Sequence, residues 1–216
     1  MRKQAGTFLS LALLAFLGLG LEILLAFLIE PLFYGKGMDE WGTFESILHW
    51  ILTCVIWGAF SFMLIRSARK KHAFDIFAFR EKLRPANWLI CFAALAICIV
   101  LSVIGWEGFK TAKEFQNLGL LMFVFQYVYY AFEAVLVFLI VAFGQKAGEA
   151  AFSRKNIPWG GMLAGLTWGL AHMLTKGDHM IGLLTCLGGV LYGAIYLGAK
   201  KNACVSYALI LLAFVL

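Results

Sequence analysis

Two consecutive apolar runs decide the fold: LGLLMFVFQYVYYAFEAVLVFLIVAFG at residues 118–144 and WGGMLAGLTWGLAHMLT at residues 159–175. An α-helix crosses the hydrocarbon core of a bilayer in about 20 apolar residues, so both runs predict transmembrane helices. The first run contains Glu133 and the second contains His172. Ionisable side chains at membrane depth are costly unless they are paired or hydrated, so these two residues are the first candidates for a functional site.

The chain as a whole has the composition of a membrane protein. Of its 216 residues, 62% are hydrophobic and 14% are charged, whereas a typical soluble domain has about 25% charged residues. No Pro-, Gly- or Ser-rich linker divides it, so we expect one domain over residues 1–216 with the lipid bilayer around it. These features predict an all-α polytopic integral membrane protein, with a multi-pass location in the cell membrane.

The net charge of +6 would suit a nucleic-acid-binding protein, but the basic residues mark membrane topology instead. The apolar runs predict about seven transmembrane helices, near residues 8–33, 44–65, 87–106, 118–144, 159–175, 181–199 and 203–216. With the N-terminus inside, 14 of the 18 lysines and arginines fall in inside segments. The positive-inside rule therefore favours an N-terminus inside and a C-terminus outside, and we expect no nucleic-acid partner.

Two further patterns predict local structure. The loop at residues 66–84 interleaves aromatic residues with lysine and arginine. This is typical of a short amphipathic helix on the inner leaflet, and a docking surface for a soluble partner is the alternative.

Glycines recur every four residues in two later runs, which predicts close helix packing there; they are Gly161, Gly165 and Gly169, then Gly189 and Gly193.

Glu133 and His172 are predicted to lie at similar depth on neighbouring antiparallel helices. Glu133 comes 11 residues before Gly144, which is about 16 Å along a helix. His172 comes 13 residues after Trp159, which is about 20 Å along a helix. A carboxylate and an imidazole at one level can share a trapped water and act as a general base. They can equally form a hydrogen-bonded pair that only fixes helix register, and spacing alone leaves both interpretations open.

Several side chains share a helix face with these candidate catalytic residues and are expected to line the same pocket. Residues one or two turns apart lie on one side of an α-helix. On that basis the expected pocket residues are Trp168, Gln126, Tyr129 and Tyr130. A catalytic zinc site needs more ligands than Glu133 and His172 supply. His179 would join them only if its helix ended early, so no metal is assigned and a divalent cofactor is not supported by the ligand count.

The other ionisable residues within apolar runs are Glu22, Glu30 and His49. Glu22 lies in the middle of the first run, so it must point into the bundle. Glu30 lies near the outer end and is expected to reach water. His49 lies about a turn and a half from the outer surface, where a satisfied interfacial histidine is the expected outcome.

The later elements of the chain resemble the CPBP family, which groups CAAX-type prenyl endopeptidases with bacteriocin-processing and Abi-type immunity proteins. That family of polytopic membrane proteins carries the motifs Glu-Glu-x-x-x-Arg, Phe-x-x-x-His and His-x-x-x-Asn or Asp. Trp168-Gly-Leu-Ala-His172 is similar to the second motif, and residues 187–196 resemble the family's glycine-rich helix. The resemblance implies a CPBP-like core at residues 118–216, preceded by N-terminal spans and a basic cytoplasmic loop at residues 1–117.

The other two motifs are incomplete. Glu133 is followed by Ala134, and Phe138 stands at the arginine position. An ungapped alignment of the last helix puts Leu212 and Leu216 at the histidine and asparagine positions. In the family these two groups are thought to complete the set that activates water and stabilises the oxyanion, and losing one oxyanion donor costs about 10²–10³ in rate. The resemblance therefore implies a peptidase-like fold with impaired or absent catalysis, that is, a pseudoenzyme.

Two functions follow as expectations. The first is a bacterial CPBP-like intramembrane protein, related to endopeptidases through Glu133 and His172, that acts on or protects against a membrane peptide or protein. The alternative is a small transporter or lipid-handling protein with a polar path lined by Glu22, Glu133 and His172. The sequence has no inverted repeat with a pair of broken helices of the kind that transporters use, which favours the first function.

Overall fold

A computed structural model describes residues 2–216, and this part of the chain is helical with no β-strand. Each predicted apolar run lies on a helix. One short 3₁₀ turn, at Met38–Glu40, joins the first two helices. The helices are α1 (Arg2–Tyr34), α2 (Thr43–His72), α3 (Pro85–Gly105), α4 (Lys110–Phe152), α5 (159–176), α6 (His179–Gly198) and α7 (Ala203–Val215).

Five helices in residues 2–216 are long and apolar enough to cross a membrane: α1, α2, α3, α4 and α6. The other two are different. A π-turn at Gly165–Gly169 divides α5, and α7 has 13 residues, which is about 20 Å of helix and shorter than the hydrocarbon core. The prediction of an all-α chain built on long apolar helices is confirmed at this level.

The helix α4 lies at the centre of the bundle. Helices α1, α2, α5 and α7 all pack against it. Its segment from Ala134 to Gly148 is buried almost without interruption, as expected for a helix that is apolar all round. A polar residue at the start of this segment, such as Glu133, is therefore held between helices.

Gly119 divides α4 into two helices. Its φ of 70° and ψ of 170° are not helical, and glycine adopts positive φ at little cost. Sixteen residues of straight helix would cover about 24 Å, yet the Tyr130 hydroxyl lies 2.6 Å from the Glu114 carboxylate. Residues 110–118 must therefore fold back over the start of the long helix, and the span predicted from residue 118 begins at this break.

The glycine stripes bring α5 and α6 into backbone contact. A Cβ atom added to Gly161 would lie 2.7 Å from the backbone nitrogen of Gly193. A Cβ atom added to Gly189 would lie 2.5 Å from the backbone nitrogen of Gly165. The predicted close packing is present, and it fixes the position of every side chain carried by α5.

The predicted amphipathic helix within residues 66–84 is wrong. The helix α2 continues to His72, and residues 73–84 have no helix but one turn. Phe74 and Ile76 are 7% and 2% exposed, and the Phe74 ring packs 5.1 Å from the ring of Phe8. Their spacing of two residues suits an extended chain with one face buried, so these side chains join the protein core and not the lipid surface.

Candidate functional site

Trp168 joins the two residues that the sequence singles out. Its indole Nε1 donates a hydrogen bond to Oε1 of Glu133 at 3.0 Å. His172 Nδ1 donates to the backbone carbonyl of Trp168 at 2.8 Å, and the two rings meet edge to face with centroids 4.7 Å apart. Glu133 on α4 and His172 on α5 therefore meet the same tryptophan, and no hydrogen bond links them directly in residues 2–216.

The hydrogen bond of His172 determines which ring nitrogen is basic. A carbonyl oxygen can only accept, so Nδ1 carries the proton in the neutral imidazole. Nε2 then holds the lone pair that a general base or a hydrogen-bond acceptor uses. The site thus contains one carboxylate, one oriented imidazole and one indole N–H.

A π-turn in α5 carries Trp168. The turn covers Gly165–Gly169, and such wide turns are frequent at functional sites. Gly165 and Gly169 also face the backbone of Cys186 on α6 at 2.5 and 2.6 Å from an added Cβ. The small residues let α5 lie against α6. The Trp168 indole packs against Tyr192 of the same α6 and also reaches Glu133 of α4 and Phe214 of α7.

The last helix presents apolar and aromatic side chains to this site. The Phe214 ring lies 5.4 Å from the Trp168 ring, and Ile210, one turn earlier, is fully buried. Leu212 and Leu216 are 44% and 36% exposed, so neither side chain is buried in the bundle. The buried positions of α7 are Ala203, Ser206, Leu209, Ile210 and Ala213, and α7 contains neither histidine nor asparagine.

The expected pocket residues on α4 form hydrogen bonds with partners other than Glu133. Gln126 Nε2 donates to the Tyr130 hydroxyl at 2.5 Å, and Tyr130 donates to Glu114 at 2.6 Å. Tyr129 donates instead to Glu22 on α1 at 2.7 Å. Within residues 2–216, Gln126, Tyr129 and Tyr130 therefore make no hydrogen bond to Glu133, because each has a partner elsewhere in the bundle.

A cap over the start of the long helix that follows Gly119 was missed in the sequence. Lys110 is 8% exposed, and its Nζ donates to the Phe214 carbonyl at 2.9 Å and lies 4.2 Å from the Tyr130 ring centroid. Glu114 is 4% exposed and accepts bonds from Gln126, Tyr127 and Tyr130. The sequence feature that could have revealed this cap was Gly119. A helix break at this glycine folds Lys110 and Glu114 back against the bundle.

A second polar cluster joins α1, α2 and α4. His49 Nδ1 lies 2.7 Å from Oε2 of Glu30, and its Nε2 lies 3.3 Å from Oε1 of Glu22. Glu30 is 2% exposed and His49 is 4% exposed. The expectation that Glu30 reaches water was wrong, and Oε1 of this buried carboxylate has no hydrogen-bond partner in the described chain.

A π-turn at Leu25–Ile29 explains why both glutamates reach one imidazole. Residues eight positions apart differ by about 80° around a regular α-helix. A π-turn rotates the chain less per residue because each turn holds an extra residue. Glu22 and Glu30 on either side of it are thereby brought toward the same face. Sequence patterns do not reveal such a turn.

The two polar clusters adjoin each other. Tyr129 lies one turn before Glu133 on α4 and donates to Glu22, which also contacts His49. Polar side chains therefore extend from Glu30 on α1, across α2 and α4, to His172 on α5.

An apolar cavity opens beside these clusters. It has a volume of about 380 Å³ between α2 and α4. Val55 and Val128 line this cavity and are 63% and 47% exposed. The cavity therefore opens at the apolar side surface of the bundle. Trp50, which also lines it, packs 6.4 Å from the Tyr129 ring. The cavity therefore gives lateral access to the neighbourhood of the polar clusters.

Within residues 2–216, no group of three His, Cys, Asp or Glu side chains has an arrangement that could hold a metal ion. His179 begins α6 as an exposed residue. No family model, no curated protein and no solved structure matches this chain.

Proposed function

We propose that the chain is a CPBP-like protein of the cell membrane that binds an apolar membrane peptide or protein segment without efficient cleavage. In this proposal seven helices cross the bilayer, with the N-terminus inside and the C-terminus outside. The distribution of lysine and arginine supports that orientation. The resemblance in Trp168 and His172 supports the family, and binding would let the protein act on a membrane polypeptide or protect against one.

The observation that carries the proposal is the set of groups around Trp168. Glu133 and His172 contact this tryptophan, and Tyr192 of α6 and Phe214 of α7 pack against its ring. A peptidase also needs donors for the oxyanion, and an apolar residue there removes about 10²–10³ in rate. The groups present suit recognition and orientation better than bond cleavage.

The lateral cavity supports binding of a membrane segment. Its walls are almost entirely apolar and it opens between α2 and α4. Helix association in lipid depends on packing and not on water exclusion, so a cavity of this size offers new contacts to the side chains of a neighbouring helix. Its closeness to Tyr129 lets a polar group on that helix approach the cluster formed by Glu22, Glu30 and His49.

The test uses purified protein in nanodiscs and a labelled synthetic peptide with one apolar segment long enough to span the bilayer. We expect binding in a fluorescence anisotropy measurement and no cleavage product by mass spectrometry. Replacing Val55 by tryptophan fills the cavity and should weaken binding about tenfold, equivalent to about 1.4 kcal/mol. Specific cleavage by the wild-type protein would refute the proposal.

Two control variants make this result interpretable. Val100 on α3 is 56% exposed, so Val100→Trp adds the same bulk at a distant apolar surface and should leave binding unchanged. Glu133→Gln keeps an oxygen that accepts the Trp168 bond, so binding and thermal stability should persist in that variant. If cleavage occurs and disappears in Glu133→Gln, the protein is an active peptidase.

A second candidate function is transport of protons along the polar clusters. The observation in its favour is the chain of hydrogen bonds from Glu30 through His49 and Glu22 to Tyr129. Intramembrane carboxylates and histidines of this kind form proton relays in transporters. Glu22 is central because it bonds to both His49 and Tyr129.

Proteoliposomes with an entrapped pH indicator test this second function. If it is correct, the wild-type protein conducts protons, and Glu22→Gln lowers the flux at least about tenfold because the relay loses an acidic group. Glu40 is exposed in the 3₁₀ turn, so Glu40→Gln is the matched control and should conduct normally. A wild-type flux equal to that of empty liposomes excludes this function.

A further inference from the structure

A cleft that the proposed function leaves unused lies where α3 begins and α6 ends. Its volume is about 580 Å³. In the orientation proposed above, this end of the bundle faces the inner leaflet, whose anionic lipids attract basic residues. We call it the basic cleft, and its polar lining consists of Glu81, Asn87, Lys155, Asn156, Lys200 and Lys201.

Two ammonium groups of the basic cleft are available to a ligand. Lys155 forms no ion pair within 4.0 Å in residues 2–216. Lys200 pairs with Glu81 at 2.9 Å, and this hydrogen bond lowers the pKa of the Glu81 carboxyl. The Glu81 side chain is 69% exposed, so water screens the pair and another anion can replace it.

Lys201 has a structural role that separates it from the other two lysines. Its ammonium lies 2.7 Å from Glu149, and the same carboxylate accepts a bond from the buried Gln145 at 2.8 Å. Gln145 also accepts from the backbone of Gly160 at the start of α5. Lys201 thus closes a network that holds α4, α5 and the end of α6 together.

The backbone at this site adopts an unusual conformation. Lys200 and Lys201 have φ angles of 51° and 63°, in the left-handed region where helix ends usually place glycine. Residues other than glycine persist there only when surrounding structure holds them, and such positions cluster at functional sites. The chain therefore keeps two adjacent lysine side chains on the wall of the cleft where glycine would be easier to accommodate.

The rest of the basic cleft is apolar. Ile90 of α3, Ala194 and Leu197 of α6 and Phe79 of the preceding loop line it. A free inorganic anion makes no use of such a wall, whereas a phospholipid has a charged phosphate next to apolar chains. The pairing of ammonium groups with an apolar wall is thus complementary to a lipid.

We propose that the basic cleft binds the phosphate group of an anionic phospholipid. Lys155 and Lys200 donate charge-assisted hydrogen bonds to the phosphate oxygens. The apolar wall receives the beginning of the acyl chains. Glu81 competes with the phosphate for Lys200, so it weakens binding and is not a ligand.

Native mass spectrometry of the delipidated full-length protein tests this proposal. The probes are phosphatidylglycerol and phosphatidylcholine with identical acyl chains. We expect the wild-type protein to retain phosphatidylglycerol preferentially. The double variant Lys155→Gln, Lys200→Gln should retain it at least about fivefold less, because the two ammonium groups that donate charge-assisted hydrogen bonds to the phosphate are gone. Glu81→Gln should retain more than the wild type, since a competing carboxylate is gone.

The control removes the same charge elsewhere at this end of the bundle. Lys70 and Lys71 are exposed at the end of α2, and Lys70→Gln, Lys71→Gln should leave retention unchanged. Thermal unfolding midpoints confirm that the variants fold. Equal retention of the two lipids, or equal losses in both double variants, would overturn the proposal. Displacement of the lipid by millimolar inorganic phosphate would assign the cleft to a free anion and also overturn it.

Discussion

Replacement of Gly161 by alanine is expected to lower the free energy of unfolding by about 3 kcal/mol, at the upper end for overpacking. The added methyl group would lie 2.7 Å from the backbone of Gly193 and from the carbonyl of Val190. Backbone atoms cannot rotate aside as a side chain can, so α5 must move away from α6. Chemical unfolding in detergent micelles, followed by tryptophan fluorescence, measures the loss.

Gly188 provides the matched control for this substitution. It lies on α6, one residue before Gly189, and a Cβ atom there would meet no other atom within 4 Å. Gly188→Ala should be neutral, or should stabilise the helix by up to about 1 kcal/mol. Equal effects of the two substitutions would show that the glycine stripe does not set the α5–α6 distance. The displacement of α5 should also weaken the bond between Trp168 and Glu133.

The second large effect is expected at His49, where leucine should cost about 3–5 kcal/mol of stability. His49 is 4% exposed and meets Glu30 through one nitrogen and Glu22 through the other. Its removal leaves the Glu30 carboxylate buried with no partner for either oxygen. The same unfolding measurement in micelles applies.

A double variant separates loss of the pair from simple loss of packing. Because removing both partners leaves no uncompensated charge, His49→Leu combined with Glu30→Leu should be more stable than His49→Leu alone. His179 is exposed at the start of α6, so His179→Leu serves as the control and should have little effect. A double variant less stable than the single one would contradict the proposed pairing.

The positions of the helices could be predicted from the sequence because the signal is local. Each predicted apolar run lies on a helix, and the break at Gly119 falls where the span from residue 118 was expected to begin. The contact between α5 and α6 was also predictable, since small residues at four-residue spacing on one face allow backbones to approach.

The partners of the polar side chains could not be predicted in the same way. Glu30 was expected at the surface and is buried against His49, 19 residues away in sequence. Tyr129 was expected beside Glu133 and bonds to Glu22, 107 residues away. One face of a helix is wide enough to contact more than one neighbouring helix. Residues that share a face can therefore have partners on different helices.

The apolar runs by themselves determined which parts of this chain are helical and apolar enough for a bilayer, and they predicted that Glu133 and His172 lie at comparable depth. Only the tertiary structure decided that Trp168 stands between those two residues, that His49 binds two glutamates, and that α7 turns Phe214 and not Leu212 toward the site. The physical reason is rotation about the helix axis. The π-turns at Leu25–Ile29 and Gly165–Gly169 change that rotation, and contacts between helices select them.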